Sequence, residues 1–345
     1  MYLKTGLKTK VIFMYSIESE KIWKSISQDS SNYDFVKRLV PINTARDFSL
    51  GYRLSEMSLS IILDIPKKFL PKKIPKAKGF IIKYLTLTRN KNLTRLTISL
   101  TEKKFKKTFY KVTDILLNSL DGIKEDKKIV KILFNELNSF QDFFKQLDQK
   151  KGLSLNLQQG LFAELDFLEK ELFKKLTIKE SLMSWHAPER SAHDFSRKGR
   201  VVEIKSTYET PPKKIKISNE YQLDEGNMEK LYLCTYEIKR NSNDGITIVD
   251  KIERIREKIR LKDINCLNLF NVMLVKIGYF EENKNFYSST FKINRRIFHD
   301  VKGNFPRLTP SKLPKGIDKT SYNLDLNYCH KYLTSKDIVL NKFCE

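Results

Sequence analysis

The stretch Ala192-His193-Asp194-Phe195-Ser196-Arg197-Lys198-Gly199-Arg200-Val201-Val202-Glu203-Ile204-Lys205-Ser206 decides how this chain is read. Successive side chains of a strand point to opposite faces, so Glu203 and Lys205 share one face and Ile204 takes the other. The Lys198-Gly199 pair reads as a tight turn. It folds the run that holds Asp194 back beside the run that holds Glu203. Two carboxylates and one ammonium then meet at the edge of a hairpin. Acidic oxygen ligands with open positions are what Mg²⁺ needs when it must also hold substrate phosphate and water. A lysine beside them can orient or deprotonate that water. Asp194, Glu203 and Lys205 therefore read as a metal-dependent phosphodiesterase site.

The tripeptide Glu-x-Lys also occurs at Glu102, Glu125, Glu237 and Glu282. Glu102 and Glu125 fall on apparent helices, where the geometry is wrong, and Glu282 falls in a polar turn. Glu237-Ile238-Lys239 is the rival, because Leu231-Tyr232-Leu233-Cys234-Thr235-Tyr236 before it also reads as a strand. It lacks a hairpin-spaced aspartate, since Asp224 lies across an apparent loop.

The chain has 345 residues, enough for two domains with separate cores. Hydrophobic residues make up 40% of it, which excludes a disordered tail. The formal net charge of +24 favours nucleic acid or another polyanion as a partner. Cys234, Cys266, Cys329 and Cys344 are widely spaced and form no zinc-type cluster. Free thiols in a reducing cytoplasm account for them. The apolar run Val11-Ile12-Phe13-Met14 is too short for a signal segment or a membrane span. A cytoplasmic protein with no membrane partner is expected. No Walker A motif or dinucleotide fingerprint appears, so no nucleotide-driven motor is expected within the chain.

The fold class expected is α+β, in two parts. Residues 1–150 read as a β-rich domain with helices, with a role in DNA recognition or partner binding. Met57, Leu59, Ile61 and Leu63 alternate with polar or small residues, and two further strands flank Arg89-Asn90-Lys91-Asn92 as a hairpin. Between them runs a Pro- and Lys-rich loop from Pro66 to Lys78. Lys67, Lys68, Lys72 and Lys73 in it are candidate contacts to a phosphate backbone. Two apolar stripes follow at helical spacing, one from Phe105 to Leu120 and one from Ile129 to Leu147. The charged break Lys150-Lys151-Gly152 marks the boundary.

Residues 151–345 read as a mixed α/β core. A helix carries Leu157, Leu161, Leu165, Leu168, Leu172 and Leu176, with Ser154 as its N-cap and Glu164 beside the stripe. Strands are expected over residues 181–185, 192–195, 201–206 and 232–238. A helix is expected over 247–261 and a last strand over 271–278.

Glu164 on a helix, then Asp194, then Glu203-x-Lys205 resembles the PD-(D/E)XK nuclease superfamily. The proline that normally precedes the aspartate is replaced by His193. A narrower resemblance rests on Trp185, Pro188, His193-Asp194-Phe195, Glu203-Ile204-Lys205-Ser206-Thr207, Ile217-Ser218, Gln222-Leu223 and Leu231-Tyr232-Leu233. The tail from Phe305-Pro306-Arg307-Leu308 to Tyr322 adds to it. These segments look like the bacterial DUF4420 family, which carries the PD-(D/E)XK motif, and the likeness covers most of the chain.

The resemblance implies a restriction-endonuclease-like core with a mixed central sheet. It implies a Mg²⁺-dependent DNA endonuclease, with Mn²⁺ as a substitute, in restriction or anti-phage defence. Asp194, Glu203 and the Ile204 carbonyl would hold the metal. Glu164 would bind a second ion or orient the first, and Lys205 would position the attacking water. Ser206 and Gln222 are weaker candidates for phosphate contacts. Double-stranded DNA, other defence proteins and a second copy of the chain are the partners expected. Two alternatives stay open at this level: a subunit that binds DNA on a nuclease-like fold without cutting, and an RNA nuclease.

Overall fold

The computed structural model describes residues 19–28, 33–71, 79–148, 152–186, 193–208 and 213–345. The chain forms two compact units, Met1–Phe144 and Lys145–Glu345. Residues 149–151, within the expected boundary, lie outside the described residues, as do Lys72 and Lys73 of the basic loop.

In the first unit, α1 (Ser19–Ser27) precedes five strands, β1 (Phe35–Val40), β2 (Phe48–Arg53), β3 (Ser58–Pro66), β4 (Phe80–Thr86) and β5 (Leu93–Leu100). Helices α2 (Lys106–Leu120) and α3 (Asp126–Asp148) follow. The strands make one antiparallel sheet in the order β1-β2-β3-β5-β4. The alternation legible in the sequence sets its faces: Leu50, Leu59, Ile61, Leu63, Leu96 and Ile98 are buried. Trp23 of α1 donates its ring N–H to Gly51 O at 3.1 Å and packs beside Phe109 and Tyr110 of α2.

The second unit opens with α4 (Leu155–Phe167). The Ser154 side chain caps it by accepting from Leu157 N. One π-helical turn, Leu168–Leu172, passes into the short α5 (Phe173–Lys175) and then α6 (Ile178–Met183). Leu161, Leu165, Leu168 and Leu172 are buried as the stripe requires, whereas Leu157 is exposed. The sheet strands are β6 (Phe195–Arg197), β7 (Arg200–Thr207), β9 (Lys230–Arg240), β10 (Ile246–Thr247), β11 (Thr290–Asp300) and β13 (Leu333–Thr334). They run in the order β10-β11-β9-β7-β6, with β13 paired to β11. β7 and β9 are parallel and the other pairs are antiparallel, so the sheet is mixed. β8 (Lys214–Ile217) and β12 (Tyr322–Asp325) form a separate ribbon. Helices α7 (Ile248–Lys262), α8 (Leu267–Ile277) and α9 (Lys336–Cys344) complete the unit.

Three expected elements differ. The strand expected over residues 181–185 is helical as far as Met183, because Thr177 and Glu180 form a capping box that starts α6. The strand expected over 271–278 is α8, ended by Gly278 in the left-handed region at φ 97°. A short apolar run has no periodicity that separates a strand from a buried helix. Of the run 192–195, Ala192 lies outside the described residues, and of the other three only Phe195 belongs to a strand. The sequence reading also missed β11, whose surface carries Lys292, Arg295 and Arg296 in place of an apolar alternation.

The sheet lies between two apolar clusters. Val202, Ile204, Cys234, Tyr236 and Ile238 pack with α4, α7 and α8 on one side. Val201, Leu231 and Leu233 pack with Ile215, Ile217, Leu324 and Leu326 on the other. A buried ionic network stands at the π-helical turn. Lys251 of α7 donates to Asp166 at 2.6 Å and to Glu169 at 2.8 Å, and Arg296 of β11 donates to Asp166 at 2.5 Å. Burial alone would raise the Glu169 pKa, but hydrogen bonds from Lys251 and Lys258 outweigh it and hold the carboxyl at about 2.

Lys251→Met leaves buried carboxylates short of a partner and should lower the unfolding free energy by about 3 kcal/mol. Because the folded Glu169 pKa lies below its ordinary 4.5, its contribution is present above that value and is lost as pH falls toward 2. The urea midpoint should drop between about pH 5 and pH 3, and drop less in Glu169→Gln. Equal drops would remove Glu169 from the account.

Candidate active site

The hairpin expected from the sequence is present. Phe195, Ser196 and Arg197 stand opposite Val202, Val201 and Arg200, so Lys198 and Gly199 alone make the turn. Both have positive φ, 48° and 79°, as a primed two-residue turn requires. Glycine fits there at no steric cost.

Asp194 lies one position before the ladder. Segment 184–186 fixes its backbone: Trp185 bridges Phe195, His186 N donates to Asp194 O at 2.7 Å, and Ser196 N donates to Ser184 O at 2.9 Å. β6 is too short to offer a carbonyl to Ile204 N. The Asp194 side chain accepts that bond through Oδ2 at 2.8 Å, which brings its carboxylate beside Glu203.

Glu203 is fully buried in β7. Its Oε1 accepts from Lys205 Nζ at 2.6 Å, while its Oε2 is buried with no hydrogen-bond partner among the described residues. Burial, then the charge of Asp194, pushes its pKa up to about 8 against the opposing pull of Lys205. Burial also raises Asp194, although Lys205 and the Ile204 N–H oppose it. Glu164 of α4 accepts from Trp185 Nε1 at 2.9 Å. Burial, then repulsion from Asp194 and Glu203, holds this carboxyl well above the usual range. Burial would lower Lys205, but Glu203, Asp194 and Glu164 outweigh it, so its ammonium is stabilised.

The fold thus brings Glu164, Asp194, Glu203 and Lys205 into one electrostatic cluster with three acids and one base. Such a cluster is short of positive charge, and hard carboxylate oxygens suit a divalent cation. The orphaned Glu203 Oε2 fits that need. Among the described residues, however, no group of three or more His, Cys, Asp and Glu side chains is arranged to hold a metal ion. Each of the three acids already gives one oxygen to an internal donor, namely Trp185, Ile204 N or Lys205.

The rival Glu237 stands beside Thr207 in the parallel register of β9 on β7. It is buried and ion-paired to Lys213 at 2.5 Å. This cation gives it an ordinary internal partner. Ser206 points to the opposite face from Glu203 and accepts from Gln159 Nε2 at 3.0 Å. Gln222 accepts from Ser218 N at 2.7 Å and closes a turn. Neither is joined to the carboxylates by a hydrogen bond. In the first unit, Lys67 and Lys68 line a cavity of about 650 Å³ with Arg46 and Lys91.

Two neighbours escaped the sequence reading as parts of the site. Trp185, quoted there only as a motif residue, is the donor that holds Glu164. His193, named there as the residue in place of the motif's proline, is buried, its Nε2 has no hydrogen-bond partner among the described residues, and it lies within the electrostatic reach of Lys205. No spacing rule could have found the Trp185 contact, which joins residues 21 positions apart.

Neither the curated proteins nor the solved structures contain a match to this chain. The family described as "Putative PD-(D/E)XK family member, (DUF4420)" matches residues 19–327, nearly the whole of both units. By that match, and with Glu164, Asp194, Glu203 and Lys205 clustered at its hairpin, the chain belongs to the DUF4420 family.

Proposed function

We propose that this protein is a divalent-metal-dependent DNA endonuclease. The observation that carries the reading is the buried Glu203, pushed up to about 8 beside Asp194 and bonded to Lys205 at the edge of the hairpin. Burying charge without compensation is costly. A second carboxylate at that point serves no packing purpose, and a nuclease site needs it. Restriction or anti-phage defence is the setting that the family resemblance implies.

In this reading Asp194 and Glu203 hold Mg²⁺, or Mn²⁺ in its place, with the Ile204 carbonyl and Glu164 as further oxygen donors. The bound ion would polarise the scissile phosphate and neutralise the leaving 3′ oxygen. Lys205 keeps its proton, because three acids favour its charged form. It therefore orients the attacking water and balances phosphate charge by donating hydrogen bonds. The Ile204 N–H holds Asp194 in place, and the Trp185 ring N–H does the same for Glu164. Ser206, bonded to Gln159, supports the β7 backbone from behind. Lys67 and Lys68 are proposed to meet the phosphate backbone of double-stranded DNA. Cutting both strands calls for two sites, which a homodimer would supply.

One observation favours a second reading, a DNA-binding subunit of a defence complex that does not cut. Lys205 occupies Glu203 Oε1, and the described acids do not converge on a ready metal cage.

The two readings part on three variants. Glu203→Ala should lower Mg²⁺-dependent cleavage of plasmid DNA by on the order of 100-fold or more. Glu237→Gln should leave cleavage within a few-fold, since Glu237 is matched to Lys213. Similar losses in two well-folded variants would end the preference for the Glu203 hairpin. Asp194→Asn removes one negative charge at nearly constant shape, so it should cut no DNA yet bind it in EDTA at least as tightly as wild type.

Mg²⁺ or Mn²⁺ should raise the melting temperature of the wild type and leave that of Asp194→Asn unmoved. A wild type that ignores both ions in melting, binding and cleavage would leave the non-cutting subunit.

A further inference from the structure

The open face of the first unit's sheet carries an arrangement that the proposed nuclease chemistry does not use. The strand registers set it out in rows. Phe35 lies beside Arg53 and Ser58. Lys37, Gly51, Ser60, Ser99 and Ile81 form the next row. Ile62, Thr97 and Lys83 form a third, and Asp64, Arg95 and Leu85 a fourth. These residues alternate with those of the core face; Gly51, Ser60 and Ile62 in the middle of the sheet are buried, and the exposed ones stand toward its edges. All the residues of these rows except Gly51 and Asp64 line a groove of about 900 Å³.

Gly51 is fixed by what lies over it. A Cβ there would meet the Phe35 ring at 2.6 Å and Ile62 at 2.9 Å. The glycine thus lets the ring lie down against β2. Arg53 flanks that ring at 5.3 Å from its centroid and is held by Asp34 at 2.9 Å. Phe35 still keeps 38% of its surface exposed, with Ile81 at 42% and Leu85 at 50%. A face that only meets water would carry polar residues at these positions.

Charge decides what the face would meet. Lys37, Arg53, Lys83, Arg95 and Lys103 line the groove against the single acid Glu56. Arg53 and Arg95 are offset by Asp34 and Asp64. Lys37, Lys83 and Lys103 have no ion pair among the described residues. Residues 1–144 hold 28 Lys and Arg against 14 Asp and Glu, so most of the chain's positive excess lies in this unit.

We propose that this face is a second nucleic-acid site, which holds a single strand. Phosphates would lie against Lys37 and Lys83, one base would stack on Phe35, and the hydroxyls of Ser58 and Thr97 would supply adaptable hydrogen bonds. Basic side chains that track a backbone beside a stacking aromatic are the means by which single strands are held without sequence preference. A base can lie on Phe35 only if it is unpaired and unstacked, because the bases of a duplex are stacked on one another, so the aromatic favours a single strand over a duplex. The site does not depend on the Glu203 cluster, so either can fail without the other.

The test uses the full chain in EDTA at fixed salt, where cleavage plays no part. Fluorescence anisotropy reads its affinity for labelled oligothymidine of about 15 nucleotides and for a duplex of equal length. The paired change Lys37→Gln with Lys83→Gln should weaken oligothymidine binding about tenfold and reduce the salt slope by about 1.4. Phe35→Leu should weaken it about fivefold or more and leave the slope unchanged. Duplex affinity should fall by less in both. The lysines are exposed, so that variant decides the matter if Phe35→Leu fails to fold. Unchanged oligothymidine affinity in the lysine variant overturns the proposal. So does an equal loss for the duplex, or displacement of oligothymidine by polyglutamate as readily as by unlabelled oligothymidine, which would mark the face as a site for an acidic protein.

Discussion

The register of β6 on β7 is the constraint on which the site depends. Lys198 and Gly199 close the hairpin with two residues, so Phe195 must face Val202. That leaves Asp194 beyond the ladder, where its side chain takes the Ile204 N–H that the short strand cannot. A slip of one residue would exchange the faces of β7. Glu203 and Lys205 would then point where Ile204 now packs, into the cluster with α4 and α7. The apolar demand of Val202 and Ile204 on that side and of Val201 on the other excludes the slip.

Once the register is fixed, electrostatics sets the behaviour of the cluster. Three acids share one ammonium in a water-poor place, and all three are pushed above their ordinary range. The Lys205–Glu203 bond at 2.6 Å offsets part of that repulsion. A divalent cation would offset more of it, and would compete with Lys205 for the same carboxylate. The balance between these two ways of neutralising Glu203 separates a cutting enzyme from a binding subunit.

The two units answer the same problem of buried and exposed charge in different ways. In the second unit the acids at the π-helical turn are matched internally, with Lys251 and Arg296 on Asp166 and Lys251 and Lys258 on Glu169. A matched network of this kind holds elements together. In the first unit, Lys37 and Lys83 on the sheet and Lys103 just after it have no ion-pair partner among the described residues. Unmatched cations beside an exposed aromatic keep their affinity for a partner from outside.

The sequence by itself determined the elements whose signals are local. Period-two alternation gave β3 and β5, helical stripes gave α2, α3 and α4, Ser154 announced the start of α4, and Lys198-Gly199 announced the hairpin. Asp194, Glu203 and Lys205 were legible because a turn and a strand period connect them over a dozen residues. Other features needed the tertiary structure, because their partners are remote along the chain. The apolar run of α8 became a helix through packing that no period revealed. β11 found its place by pairing with β9, despite a charged surface. Glu164 joined the carboxylate cluster with Trp185 as its donor, and Glu237 found its partner in Lys213. The open sheet face exists only once five strands set Phe35 over Gly51 beside Lys37, a juxtaposition made by register and not by spacing along the chain.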